Sequence, residues 1–299
     1  MSLRDSFRGL AVASMLMLMS TTGWATVVGY QQDFEALDAA DAAALDADGF
    51  KVFASVWGSA TGDATVGTDV FIYQYGPFPA PNGGAAFSAI AGGEGGLEQG
   101  AQYLNAYSDY ANADQAPDGA CGPNFGCTLS TNVFREFVPD PLFDPDGGID
   151  ASNIGQTWTF SFDAKSPFAD GIFDAQDGNG GDFNNPQSAY AFIKTLDPNN
   201  NYAATNDIRV DMTNISNTDW ARFTISLDLT DPALQGQIFQ FGFNATSRDY
   251  FNSGVFYDNV CFSENGDDCV FAPIPVPAAV WLFGSALGLL GVARRRIMK

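Results

Sequence analysis

Three stretches in the second half of the chain place an apolar side chain at every second residue. That period of two restricts the fold more than any other feature of the sequence. Trp158, Phe160 and Phe162 alternate with Thr157, Thr159 and Ser161. Phe223, Ile225, Leu227 and Leu229 alternate through 222–229, and Phe239, Phe241 and Phe243 through 238–243. Such alternation describes strands with one packed face, which favour antiparallel sheets. Two of these sheets facing each other make a sandwich. Further strands are expected at 30–37, 50–57, 69–75, 102–107, 131–137, 190–195 and 255–262. The Ala-rich run 38–46 suggests one or two helical turns, and 76–100, rich in Gly, Pro and Ala, reads as loop. No fixed repeat and no linker interrupts the chain before Ala272, so 26–272 is expected to form a single all-β domain.

Both ends of the chain read as addresses. Arg4 and Arg8, the apolar run 9–19 and Gly23-Trp24-Ala25 have the layout of a signal peptide over 1–25, read by the secretion machinery and cut after Ala25. At the other end, residues 273–299 begin with Pro273, Pro275 and Pro277. The 18 residues from Val276 to Ala293 then carry no charge, and Arg294, Arg295 and Arg296 follow. As a helix at ~1.5 Å per residue that run spans roughly 27 Å, close to the ~30 Å hydrocarbon core. Basic flanks stay cytoplasmic, which leaves the large domain outside. A plain C-terminal membrane anchor is one reading. The order of the three parts also resembles the PEP-CTERM sorting signals of Gram-negative bacteria, in their VPLPA-type variant. Here Val276-Pro277-Ala278-Ala279 carries the likeness, and Pro275-Val276-Pro277 stands in place of the name-giving Pro-Glu-Pro. The resemblance implies an exosortase as partner, transient anchoring by the transmembrane helix, and release to the cell surface or an exopolysaccharide matrix.

Without its two ends the chain is strongly acidic. Residues 26–273 hold seven basic and 34 acidic side chains, a net of −27 against −22 for the whole chain. Such a domain repels nucleic acid and attracts divalent cations. Histidine is absent, which excludes Ser-His-Asp and Cys-His catalysis and His-ligated zinc. The four cysteines form two close pairs, Cys121 with Cys127 and Cys261 with Cys269. Local disulfides in an exported chain are the most economical of the three possible connectivities.

One carboxylate breaks the strand pattern. Strict alternation through 255–262 puts Asp258 on a face with Phe256, Val260 and Phe262. A buried carboxylate needs a partner or a cation, because desolvating it alone costs several kcal/mol. The Phe34-Glu35 pair near the first strand and Tyr257-Asp258-Asn259-Val260 in the last resemble the edge strands of jelly-roll carbohydrate-binding modules. The resemblance implies a jelly-roll-like sandwich, with calcium as a structural cofactor held by Glu35 and Asp258; hard oxygen ligands suit calcium. The alternative for Asp258 is a carboxylate satisfied by backbone N–H groups. The acidic runs 144–150 and 174–182 lack the EF-hand pattern and read as solvated turns.

A saccharide site needs flat rings and hydroxyl- or amide-binding groups. Trp57 stands before Gly58 at a strand end, Tyr73 and Tyr75 share a face with Phe71 under strict alternation, and Tyr107 shares one with Asn105. These four are candidate platform residues, although in a chain so rich in aromatics any one ring is more often core than platform; Trp158 reads as core. The resulting expectation is a non-catalytic protein that binds extracellular polysaccharide. A structural or adhesive matrix protein without a ligand site is the alternative, and a glycoside hydrolase using two carboxylates is a third.

Overall fold

The computed structural model describes residues 27–59, 69–80, 88–96, 98–108, 128–139, 147–167, 188–248, 253–266, 269 and 271. Among these residues twelve strands form two antiparallel sheets packed face to face. In chain order they are β1 (Tyr30–Gln32), β2 (Lys51–Ser59), β3 (Asp69–Pro79), β4 (Ser88–Gly92), β5 (Gln102–Ser108), β6 (Thr128–Phe137), β7 (Thr157–Lys165), β8 (Ser188–Asp197), β9 (Ala203–Asp211), β10 (Ala221–Asp228), β11 (Ile238–Arg248) and β12 (Ser253–Glu264). A single helical turn, α1 (Ala44–Ala47), lies between β1 and β2. Sheet A runs β10-β7-β12-β5-β4, with β1 paired to the far half of β12; sheet B runs β3-β2-β6-β11-β8-β9.

The expected alternation produces the interior. Phe160, Phe162, Ile225, Leu227, Phe239, Phe241 and Phe243 are all buried in the core between the sheets. Phe262 is its hub: its ring centroid lies 4.3 Å from Phe241, 4.8 Å from Trp158, 5.3 Å from Phe239 and 5.6 Å from Phe137. Tyr257 stacks on Phe243 at 3.6 Å. Offset and edge-to-face rings of this kind add to the area they bury. Gly242 is required on β11, because a Cβ there would lie 2.4 Å from the Val133 carbonyl oxygen and 2.6 Å from Phe134 Cα.

Three differences from the sequence reading have clear causes. The first strand is only three residues long, because Phe34 adopts φ 57° and turns its ring into the core against Phe50. Strands β4 and β9 were not expected. Ser88-Ala-Ile-Ala-Gly92 carries little β signal, and β9 is an edge strand exposed along most of both faces, so it shows no alternation. The register of β2 against β3 shifts between Val56/Tyr73 and Trp57/Phe71. Tyr73 therefore sides with the inward Val56 while Phe71 sides with the outward Trp57, and the two do not share a face.

Register also fixes direction. β12 descends from Ser253 to Glu264; β1 rises beside its lower half, where Tyr30 pairs with Phe262 and Gln32 with Val260. Across the sandwich, Ser108 at the upper end of β5 in sheet A donates to the Leu129 carbonyl of sheet B and lies 3.1 Å from Ser247 Oγ of sheet B. The upper end of sheet B thus holds Thr128, Trp57 and Phe71, while Phe137 at the lower end stacks on Phe262. The Cys261–Cys269 disulfide is formed at the lower end, and Cys269 Sγ lies 3.7 Å from the Tyr30 carbonyl. Cys121 and Cys127 lie outside the described residues. Truncating the hub tests this arrangement: Phe262→Ala should lower unfolding free energy by about 3–5 kcal/mol, measured by urea denaturation. A loss below ~1 kcal/mol would place the ring outside the packed core.

Candidate functional site

The break in alternation is a β-bulge. Pairing of β12 with β7 slips between Asp258 and Cys261, and Asn259 takes φ 46°, a left-handed conformation that Asn tolerates better than most residues. The extra residue lets Val255 and Tyr257 above it, and Val260 and Phe262 below it, all face the core. This corrects the expected face assignment. Asp258 lies on the opposite face of sheet A from Val260 and Phe262, and it is nevertheless fully buried, at 0% exposure.

Asp258 lies at a seam. Along one side of β12, β1 pairs at 260–262 and β5 pairs at 253–257. The chain after β1 closes the seam. Glu35 Oε1 accepts from the Ala101 and Gln102 amides at 2.7 and 2.6 Å, and Gln102 Nε2 donates to the Phe34, Glu35 and Leu37 carbonyls. Gly100, at φ +62°, has no room for a side chain, since a Cβ would lie 2.6 Å from Glu35 Oε1. On the β7 side, Asp163 is fully engaged. Its Oδ2 accepts from Gln99 and Asn259 at 2.8 Å each, and its Oδ1 from Arg222 at 3.2 Å; Arg222 also donates to the Asn259 carbonyl at 2.6 Å.

Asp258 is left less well served. Its Oδ1 accepts from the Asn259 amide at 2.6 Å, but its buried Oδ2 has no hydrogen-bond partner. Burial pushes its carboxyl up to about 9; the Asn259 amide opposes this, and the charges of Asp163, Asp33 and Glu35 add to it. Arg222 compensates Asp163, and among the described residues no cation is paired with Asp258, Asp33 or Glu35. An orphaned oxygen among carboxylates fits part of a hard-cation site. The set is partial: among the described residues no three His, Cys, Asp or Glu side chains converge as metal ligands.

A second candidate surface covers the outer face of sheet B. Val52, Ala54 and Val56 of β2 point inward, so Lys51, Phe53, Ser55 and Trp57 point out. Register lines up Phe53, Asn132, Asn244 and Tyr190 in one row, and Ser55, Ser130, Thr246 and Ser188 in the next row up. Asn244 Nδ2 donates to Ser130 Oγ at 3.0 Å and Asn132 Oδ1 at 3.1 Å, and Thr246 Oγ1 donates to Asn244 Oδ1 at 3.1 Å. This ladder of amides and hydroxyls is flanked by the half-buried rings of Phe53 and Tyr190. At its upper rim stand Trp57 and Phe71, 38% and 49% exposed, edge to face at 5.4 Å. Below the ladder, charges are mostly paired. Lys51 holds Glu136 at 2.9 Å and Arg209 holds Asp207 while lying over the Tyr190 ring. Lys194 lies 4.0 Å over the Phe192 ring, and burial lowers its ammonium to about 8.

The four platform candidates separate. Trp57 is on the outer face of sheet B. Tyr107 is half-buried on the outer face of sheet A, opposite Gly254. Tyr73 packs against the core. Tyr75 pairs with Ala54, and its side chain lies outside the described residues. Phe71, Phe53, Tyr190 and the Asn132–Asn244 ladder were not picked out from the sequence. The ladder's signal, Asn, Ser or Thr at every second position of two strands, is visible only once their register is known. A further cleft of about 350 Å³ at the lower end is lined by Val27, Gly29, Asn153, Gln156, Trp158 and Glu264. Trp158 is core as expected, its Nε1 donating to Gln156. The sorting-signal residues Pro275, Val276, Pro277, Arg294, Arg295 and Arg296 lie outside the described residues. Among those described, no helix is long and apolar enough to cross a membrane.

No family model matches the sequence, and no curated protein matches it. Solved structures show loose likenesses. TmCBM61 in complex with β-1,4-galactotriose is 9% identical over 60% of this chain and 83% of that one, with a TM-score of 0.31. The C-terminal family 22 carbohydrate-binding module of Clostridium thermocellum Xyn10B is 11% identical over 61% and 85%, at 0.32. The Stig cyclase Fisc from Fischerella sp. TAU is 10% identical over 80% and 98%, at 0.37. At these scores the likenesses decide nothing about ligand or chemistry.

The state of Asp258 is open to titration. Its folded-state carboxyl is raised above the ordinary ~3.9 of an unfolded chain. The group's contribution is therefore fully present below that value and is lost as pH rises from about 4 to about 9. Without divalent cations, stability should fall through this window by up to ~1.4 kcal/mol per pH unit from this one group. Asp258→Asn should remove that part of the slope in urea melts run from pH 4 to 9. An unchanged slope would mean that Asp258 is ionised throughout.

Proposed function

We propose that this protein is an exported, non-catalytic, jelly-roll-like sandwich that binds extracellular polysaccharide on the outer face of sheet B. The observation that carries the proposal is the Asn132–Asn244–Ser130–Thr246 ladder, set between Phe53 and Tyr190 with the exposed Trp57 and Phe71 at its rim. Aromatic faces bury the apolar C–H face of a sugar ring while amides and hydroxyls meet its hydroxyls. Asn244 is itself buried and spends its amide on Ser130 and Asn132; it thereby orients the half-buried Asn132, Ser130 and Thr246, so little ordering remains for binding to do. The acidic balance disfavours nucleic acid as the partner. Export by the secretion machinery, handling by an exosortase and a final place at the cell surface or in a matrix belong to the same proposal. They are supported by the two terminal segments of the sequence.

Calcium is proposed as a structural cofactor at the seam, with Asp258 Oδ2 and Glu35 as ligands. The support is the orphaned buried oxygen and the uncompensated acidic neighbours. Bound there, the ion would supply the positive charge the seam lacks and fasten the chain after β1 to β12 and β5. The outcome expected in thermal melts at neutral pH is a calcium-dependent rise in Tm that Asp258→Asn abolishes and magnesium reproduces poorly. A Tm indifferent to calcium would remove the cofactor from the proposal.

The saccharide face is tested by affinity electrophoresis in gels containing neutral glucans, galactans or xylans. Retardation of the unaltered chain is expected. Trp57→Ala should weaken it about tenfold, or ~1.4 kcal/mol, without shifting Tm. Asn132→Ala should also weaken it, and Tyr107→Ala should not. Equal mobility of all forms with every glycan would favour the matrix-protein reading.

A further inference from the structure

The strand directions place the saccharide rim at one end of the sandwich and Val27 and Cys269 at the other. Val27, Gly29 and Glu264 line one cleft at the lower end, and Tyr30 pairs with Phe262 just above it. The segment that follows is fastened there: Cys269 is bonded to Cys261, its amide lies 3.2 Å from Cys261 Sγ, and its sulfur faces the Tyr30 carbonyl. The chain on both sides of the sandwich is thus fixed to the bottom of β12. Trp57 and Phe71 stand at the top of β2 and β3, beside Thr128. Between the two lies the length of β11, 11 residues, or about 35 Å at roughly 3.3 Å each.

We propose that the domain is held by its lower end and presents the Trp57–Phe71 rim outward, away from whatever surface retains the C-terminal segment, toward polysaccharide arriving from the medium. Resting on the saccharide reading above, this makes the protein a directional bridge between an anchoring surface and an external glycan. It is not a layer lying flat between two glycans. Three features make the mount directional. Cys261–Cys269 anchors the outgoing chain seven residues after the last inward ring, Phe262. β1 pairs with the lower half of β12, and the hydrogen bonds between Glu35 and Gln102 fasten the chain after β1 to β5 beside it. The Tyr30 hydroxyl donates to Asp48 at 2.5 Å, and the Arg135 guanidinium of β6 lies 3.9 Å over the Tyr30 ring, tying β1 to sheet B. A pull on either end therefore loads the bottom of β12 and leaves the upper rim undisturbed.

The orientation can be read without a ligand. The full chain, carrying an affinity tag after Lys299, is held on vesicles bearing chelated nickel and a bilayer acceptor dye. Donor dyes are attached at Gln235→Cys, in the exposed lower turn before β11, or at Asn214→Cys, in the exposed upper turn after β9. Energy transfer from position 235 should clearly exceed transfer from 214. Equal transfer, or the reverse order, would overturn the proposal. A parallel arm adds a neutral glucan that retards the soluble chain: vesicle-held protein should bind it as the soluble chain does, and loss of binding on the vesicle would again overturn the orientation. If transfer is as expected and no glycan binds in solution, the orientation stands and the saccharide reading fails.

Discussion

The extra residue in β12 at Asp258–Asn259 is the constraint on which both the core and the candidate cation site depend. An unbulged strand through 253–264 would put Tyr257 and Phe262 on opposite faces, and one of them would leave the interior. With the bulge, Tyr257 stacks on Phe243 and Phe262 on Phe241, so a single strand fills the upper and lower halves of the space between the sheets. The displaced residue is a carboxylate turned to the other side, where the chain after β1 and the Gln99–Gln102 segment bury it. Core packing and an uncompensated acidic seam are thus two results of one backbone event.

Charge is distributed on the same logic. The seven cations of 26–273 are few, and those described are mostly spent on holding elements together. Arg222 joins Asp163 to the Asn259 carbonyl, Arg135 joins Tyr30 to β6, and Lys165 holds Glu94 at 3.0 Å. Partly exposed pairs contribute little individually; their effect here is to position loops. Among the described residues Asp258 has no such cation, and this gives the calcium proposal its physical motive.

Much of the sandwich was legible in the sequence, because burial of one face leaves a period of two. Trp158 through Phe162, Phe223 through Leu229 and Phe239 through Phe243 declared their strands and their inward faces. β4 and β9 were not legible: one is built of Ser, Ala, Ile and Gly, and the other is exposed on both faces. The site was half legible. Asp258 stood out as a charge among rings, and the structure does bury it, but alternation placed it on the wrong face. A left-handed Asn259 leaves a trace only in the choice of Asn. The saccharide face was less legible still. Phe71 was separated from Tyr73 by a slip in register, and the Asn132–Asn244 ladder joins residues 112 apart in sequence.

The most direct measurement is the protonation state of Asp258 itself, followed by carboxyl-carbon NMR of the chain labelled at aspartate, with Asp258→Asn used to assign the signal. In calcium-free solution the buried carboxyl should remain protonated through neutral pH and titrate near 9; with calcium added it should ionise at neutral pH and shift on binding. A signal that titrates near the ordinary carboxylate value of ~4 and ignores calcium would contradict the account of the seam.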